Sequence, residues 1–332
     1  MKTILNSAFV FLFLCGKSQI LIPTPETAFE KTHNFNAELI KQKNVNKITF
    51  EIVDKKDFEI AVDKNLVETY EFDTNGKLSR FYYTTIVKTI EKQITASVHN
   101  KGKKGYHTVT ETKSEYLYDT VSTTYFYNKA NLSLKRYHDG ALFYESRYYR
   151  YDSLNNLVKE MRYRETNNST DKSIFILGGQ LLLSQDSFVY KKYSDQQLHC
   201  FHLNNEQRPY KQQIIYFDSL GRTKSTTEYY TAAAWIKQEK NYEYVGSHLS
   251  SAIFKGNANK EITIKITYEY DANNELLTEK QYKNEVLEKE LSYITNSSDN
   301  LLSSLVVRDY INKSIRIIKL KYEFRAVTQK SK

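Results

Sequence analysis

Cysteine is almost missing from this sequence: Cys15 and Cys200 are the only two in 332 residues. Cys15 lies in an N-terminal apolar run, so removal of that run would leave one thiol, and one cysteine cannot form an intramolecular disulfide. The fold must then rest on its core and its hydrogen bonds. Catalytic signatures are missing as well. No G-x-S-x-G, H-E-x-x-H or G-x-G-x-x-G occurs, so neither a nucleophile elbow, a zincin helix nor a dinucleotide loop can be assigned. Gly16-Lys17-Ser18 lacks the upstream glycine of a phosphate loop. The dense oxygen-ligand loop of a calcium site is absent too. Charge of one sign is not concentrated anywhere: the net +9 is spread over a mixed chain. No nucleic-acid reading module accompanies it. The most local basic cluster, KGKKG from Lys101 to Gly105, reads as a charged hairpin tip. A positive surface is compatible with an anionic envelope surface or an acidic polysaccharide.

Long hydrophobic runs are also lacking. The stretch Ile4 to Cys15 follows Lys2 and is shorter than the about 20 residues a membrane helix needs. With Gly16 and Ser18 behind it, the pattern predicts a secretory signal peptide over 1–18, cut before Gln19. Lipidation at Cys15 is the second reading, weakened by Leu14 where a small residue is wanted. No later run is long enough for a membrane helix, so the mature chain is expected to have no transmembrane segment. Cutting after Ser18 leaves 314 of the 332 residues and a net charge of +7, from 46 basic and 39 acidic side chains. That length suits one large or two ordinary domains.

What the sequence has in quantity is aromatic side chains, with 28 tyrosines and 17 phenylalanines against three prolines. Such residues suit a pleated, half-buried surface. A lead segment over 19–44 offers a short helix with Thr24 as cap, Pro25 in the first turn and Glu26 near the positive end. From about Lys47 the pattern has period two. In ITIKITYEY, Ile262, Ile264, Ile266, Tyr268 and Tyr270 point one way, and Thr263, Lys265, Thr267 and Glu269 the other. Ile318, Leu320, Tyr322 and Phe324 alternate with Lys319, Lys321 and Glu323. Strict alternation describes strands with one dry and one wet face.

A short motif recurs between such strands. Phe72-Asp73, Tyr151-Asp152, Phe217-Asp218 and Tyr270-Asp271 are each followed, three residues after the aspartate, by Gly76, Asn155, Gly221 or Asn274. Aspartate opens a type I turn, bonding the backbone two residues on. Glycine and asparagine accept the left-handed conformation that completes a three-residue hairpin with a bulge. The reading pairs Phe72 with Leu78, Tyr151 with Leu157, Phe217 with Thr223 and Tyr270 with Leu276. It also places Tyr163, Tyr229 and Tyr282, eleven residues after their aspartates, on the face of the turn leucine. The aspartates are 79, 66 and 53 residues apart, roughly multiples of about 25, the length of two strands and two turns. Looser turn candidates fall near 103, 129, 178–179, 194, 246 and 298.

The segments YRYDSLNNLVKEMRY, YFDSLGRTKSTTEYY and YEYDANNELLTEKQY resemble the YD repeats of the RHS family of bacterial surface and toxin-delivery proteins. The resemblance implies hairpins coiled into a β-sheet shell or spiral, with no catalytic role for the tyrosine or aspartate. The family's larger members enclose a C-terminal toxin. Here the repeats run almost to residue 332, and no toxin domain is expected.

The expected fold is all-β: antiparallel hairpins forming an extended, twisted or coiled repeat sheet over 45–327, with a short disordered tail at 328–332. The turn aspartates serve the turns without needing catalysis. His199-Cys200-Phe201-His202 is the only metal-prone cluster, and a strand puts Cys200 and His202 on one face and His199 on the other, too few for zinc. No catalytic residue, metal or cofactor is expected. The candidates for ligand contact are Tyr148, Tyr229 and Tyr230, whose rings could stack on sugars if exposed in a row; their alternative role is to cover strand edges and cross-strand neighbours. The predicted function is an exported, non-enzymatic scaffold or interaction protein of the bacterial envelope or exterior, with a polysaccharide or another envelope protein as partner and no nucleic acid. The alternatives are a polysaccharide binder using exposed tyrosines and a secreted or periplasmic hydrolase with a dispersed site.

Overall fold

The computed structural model describes residues 19–326, except 31–32, 100–105, 172–173, 258–259 and 297. The signal-peptide, Cys15 and tail expectations and the KGKKG tip therefore lie outside the described residues. Strands β1 (Val45–Lys56), β2 (Val62–Phe72), β3 (Leu78–His99), β4 (Tyr106–Asn128), β5 (Asn131–His138) and β6 (Phe143–Tyr151) are followed by β7 (Leu157–Asn167), β8 (Leu177–Ser194) and β9 (Gln197–Leu203). Then come β10 (Pro209–Phe217), β11 (Thr223–Tyr230), β12 (Ala233–Val245), β13 (His248–Gly256), β14 (Ile262–Tyr270), β15 (Leu276–Lys283), β16 (Val286–Thr295), β17 (Leu302–Asp309) and β18 (Ser314–Phe324). Each pairs antiparallel with the next.

The sheet does not stay open. β1 pairs with β2 on one side and with β18 on the other, from Val45↔Phe324 to Lys56↔Ser314. The eighteen strands thus form one closed barrel. This corrects the expectation of an extended or coiled repeat sheet, and with it the assignment to YD-repeat, RHS-like proteins. Period-two alternation and turn chemistry specify hairpins. They do not specify whether the first and last strands meet, which depends on accumulated twist and shear.

The turns themselves form as read. The Asp73 carboxylate accepts from the backbone N–H groups of Asn75 and Lys77, Asp152 from Leu154 and Asn156, Asp218 from Leu220 and Arg222, and Asp271 from Asn273 and Glu275. Gly76, Asn155, Gly221 and Asn274 all have positive φ, between 64° and 79°. The four aromatic partners lie opposite Leu78, Leu157, Thr223 and Leu276. Each turn also carries a bulge one residue into the following strand, and that bulge reverses the alternation. Tyr163, Tyr229 and Tyr282 consequently lie opposite Ser146, Gln212 and Lys265, on the other face from the turn leucine. Gly178 and Gly179, read as a turn, sit within β8. The chain reverses before them, where Asn167 Oδ1 accepts from the N–H groups of Ser169 and Ile176.

The lead segment forms its helix later than expected. Ala28 N–H donates to the Thr24 carbonyl, closing a turn there, while helix α1 spans Ala37–Gln42. Asn36 is its cap, its side chain accepting from Leu39 N–H at 3.2 Å. The segment identifies the inside of the barrel. Tyr242 on β12 donates to the Pro25 carbonyl, Phe29 packs on Phe254 of β13, and Leu276 N–H of β15 reaches Gln19 Oε1. His33 packs on Phe50 of β1, and Phe35 on Tyr70 and Phe72 of β2. The arc from β12 through β18 to β2 crosses nine strands, roughly 40 Å at about 4.8 Å each. One short segment can touch so wide an arc only from its concave side. The segment is therefore a plug in the lumen, and a barrel of this strand number is wide enough to hold one.

The core is built on that plug. Ile20, Leu39, Ile40, Val45, Ile48, Phe50, Leu276 and Leu305 are almost wholly buried. Phe50 packs at a tilt on Tyr70, with centroids 4.9 Å apart, and Tyr70 stacks on Phe81 at 4.7 Å. The outward face of the same strands is charged. Lys47 pairs with Glu323 at 2.6 Å, Glu51 with Lys321 at 2.5 Å and Glu269 with Lys280 at 2.8 Å. One hairpin departs from the cylinder. β3 meets β2 only through Leu78–Tyr83, and β5 meets β4 only through Ser122–Asn128. From Ile86↔Tyr118 to His99↔Tyr106, β3 and β4 pair with each other alone. This two-stranded arm of thirteen residue pairs is roughly 40 Å long.

Candidate functional site

The inner wall leaves a cavity of about 570 Å³ between the plug and strands β14 to β18 and β2. Alternation aims Ile264, Ile266 and Tyr268 of β14 into it, and the bulge after Leu276 aims Glu279 and Gln281 of β15 the same way. Lys289, Leu291 and Tyr293 come from β16, Val307 from β17, Arg316 from β18 and Glu68 from β2. The plug supplies Phe29 and His33 among others. One side of the cavity is thus greasy and the other polar.

The ionisable groups there are unequally satisfied. Arg316 is held by Asp54, through Nε at 2.7 Å and Nη2 at 3.1 Å. Lys289 stands opposite Asp309 in the register. Glu68 accepts from the Tyr70 hydroxyl at 2.8 Å. Glu279 has neutral partners: Gln281 Nε2 at 2.6 Å and the Tyr293 hydroxyl at 3.1 Å. Burial pushes the Glu279 carboxyl above its ordinary pKa, against the pull of those two donors. Burial holds His33 below its ordinary value, with Glu68 opposing. This cavity was missed in the sequence because the residues that form it lie over two hundred positions apart. The alternating isoleucines and tyrosines of β14 were its only legible sign.

The tyrosines singled out in the sequence are not brought together. Tyr148 is on the outer face of β6, Tyr229 on the outer face of β11, and Tyr230 beside it on the inner face. Tyr148 donates to Glu165 Oε1 at 2.6 Å. Glu165 is fully buried and also accepts from Ser146, Arg136 and Gln180. Phe175, from the β7–β8 connection, covers this group, with its ring centroid 3.7 Å from the Arg136 guanidinium. Tyr229 donates to Gln212 Oε1 at 2.6 Å, within an outer cluster where the Gln197 and Gln212 amides flank the two ring nitrogens of His199. Tyr193 packs against that ring at 4.1 Å.

The His199 to His202 stretch divides as read: Cys200 and His202 inward, His199 outward. Burial pushes the Cys200 thiol up, and burial with nearby Lys211 lowers the His202 pKa to about 4. The thiol is protonated and the imidazole uncharged at neutral pH. Among the described residues no three His, Cys, Asp or Glu side chains converge on a metal position.

No family model matches the chain, and no curated protein matches it. Solved structures do. A porin-like protein from Bacteroides uniformis is 12% identical and covers 85% of this chain and 97% of its own, with a TM-score of 0.36. A porin-like protein from Bacteroides vulgatus is also 12% identical, covering 84% and 98%, with a TM-score of 0.23. The TcdB2-TccC3 structure is 13% identical over 81% of this chain but 16% of that one, with a TM-score of 0.21. TM-scores at this level do not establish a common fold. With no family model behind it, the YD-repeat resemblance rests on the hairpin turns alone, and the closed barrel overturns it. The closed antiparallel barrel is compatible with a non-enzymatic protein of the cell envelope, outside the cytoplasm. Among the described residues no helix is long and apolar enough to cross a membrane.

Proposed function

We propose that the protein is an exported, non-enzymatic barrel that stands in water rather than in the bilayer and binds a small molecule in its plugged lumen. The polarity of the two faces carries this reading. A bilayer-spanning barrel needs an outward apolar band about 25 Å tall and pays about 2–4 kcal/mol for each lysine or arginine at its midplane. On β14 the outward residues Thr263, Lys265, Thr267 and Glu269 put polar groups along about 15 Å of that height. Lys237, Glu239, Asn241 and Glu243 do the same on β12, and Lys319, Lys321 and Glu323 on β18. Tyr242, Ile266, Tyr268, Ile318 and Leu320 of these strands face inward and are buried, while Trp235 and Val245 near the ends of β12 are exposed. The 570 Å³ cavity between plug and wall falls within the range of small-molecule sites.

The test is made in detergent-free buffer. The mature chain should be soluble, remain in the aqueous phase after detergent phase separation, and bind the neutral fluorophore prodan at one saturable site. Leu291→Trp, which places an indole ring in the cavity, should weaken that binding at least tenfold. Partition into detergent, or prodan binding untouched by Leu291→Trp, would refute the reading.

A second reading has its own observation. Tyr193 and Tyr216 are exposed beside Gln197, Gln212, His199 and Tyr229 on the outer face of β8 to β11. Flat rings flanked by amides suit a polysaccharide. Replacing Tyr193 and Tyr216 by alanine should release the protein from an immobilised polysaccharide that it binds, and retention would exclude this patch.

A further inference from the structure

We infer that the lumen site is selective for an organic cation, a primary or quaternary amine carried on an apolar body, with Glu279 as its counter-charge. The inference rests on the lumen reading above and adds its chemistry. Three observations support it. First, neither cavity-lining cation forms an ion pair with Glu279: Arg316 is held by Asp54 through two hydrogen bonds, and Lys289 stands across the β16–β17 register from Asp309, whose carboxylate accepts from Asn312. Second, Glu279 makes no ion pair among the described residues, and its known donors, Gln281 and Tyr293, are neutral. A carboxylate half-buried among neutral groups without a cation is costly, and a cation that enters beside it recovers part of that cost. Third, the surrounding wall is aromatic and aliphatic, with Tyr268, Tyr293, Phe29 and Leu291 lining the cavity. Aromatic faces attract ammonium groups, more strongly where water is excluded. A carboxylate ligand of the same shape would meet Glu279 and Glu68 with like charge.

The experiment compares octylamine, octanol and octanoate by titration calorimetry on the full mature chain. Wild-type protein should bind octylamine at one site, octanol at least tenfold more weakly, and octanoate not measurably. Glu279→Gln keeps the side-chain volume and should lower octylamine affinity to that of octanol. Glu290→Gln, on the outward face of the same barrel wall, should leave it unchanged. Equal affinity for octylamine and octanol in wild-type protein would overturn the cation assignment while leaving lumen binding intact. Binding of none of the three would overturn both. The comparison of ligands on wild-type protein stands even if Glu279→Gln does not fold.

Discussion

Removing Glu165 should cost this protein more than removing any surface carboxylate, although Glu165 lies on the outward side of the barrel wall. Its carboxylate has no exposed surface. It accepts from Ser146 Oγ at 2.5 Å, Tyr148 at 2.6 Å, Gln180 Nε2 at 2.8 Å and Arg136 Nε at 3.0 Å. The Arg136 side chain is only 11% exposed beneath Phe175. In Glu165→Ala the guanidinium stays buried with no counter-charge, and three other donors lose their acceptor. Breaking a buried pair in this way costs about 3–5 kcal/mol. At about 2–4 °C per kcal/mol for a large domain, the melting midpoint should fall by at least about 6 °C. The pH dependence has a definite sign. Burial raises the Glu165 pKa, but the Ser146 and Tyr148 hydroxyls, the Arg136 charge and the Gln180 amide outweigh it and hold the carboxyl below its ordinary value. A depressed carboxyl pKa contributes stability that is fully present above the unfolded value of about 4.3 and is lost as pH falls through the folded one. The gap between wild type and Glu165→Ala should therefore be full at pH 7 and shrink below about pH 4. Guanidinium titrations followed by circular dichroism at both pH values measure it. Asp195→Ala is the control, since Asp195 is 95% exposed and its pair with Lys192 is a solvated one. Equal midpoints for the two variants at pH 7 would refute the buried-pair argument.

Gly76→Ala and Gly221→Ala remove glycine from the same turn position with nearly the same φ, 79° and 75°. Each carries a left-handed penalty of about 1–2 kcal/mol. At Gly221 a Cβ meets nothing within 4 Å, whereas at Gly76 it falls 1.9 Å from the Ala37 carbonyl oxygen under α1. Denaturant titration should show the Gly76 variant losing at least twice as much. Phe50→Ala, at a fully buried ring in contact with His33 and Tyr70, should cost about 3–5 kcal/mol and make the 19–44 segment sensitive to limited proteolysis. Replacing Lys88–Tyr116 by an Asn-Gly turn removes most of the arm but none of its pairing to β2 or β5, so the melting midpoint should move by no more than a few degrees.

Much of the local structure was legible, because each part of it depends on neighbouring residues. Asp271 and Asn274 specify their turn within four positions, and Ile262 to Tyr270 specify their strand by alternation alone. The faces of Tyr163, Tyr229 and Tyr282 were not legible. A bulge adds one residue, and one residue inverts every side chain after it. Closure was hidden for a different reason. Nothing local marks Val45–Lys56 as the partner of Ser314–Phe324, since both read as ordinary amphipathic strands. The cavity followed from closure, so it was hidden as well. Glu279 becomes notable only once Tyr293 and the plug are known to surround it.

The β1–β18 seam has a consequence for how the barrel is made. Every other strand pairs with its neighbour in sequence and can do so as soon as a few dozen residues are available. The seam joins residues more than 250 positions apart, and contacts of such separation form slowly. Until they form, two long edges and the apolar lining of the lumen face water together, the combination that invites pairing with other chains. The slow and hazardous step in folding is therefore the last one, when β18 finds β1. A chain cut short before β18 should not yield a slightly smaller barrel but an open sheet that aggregates.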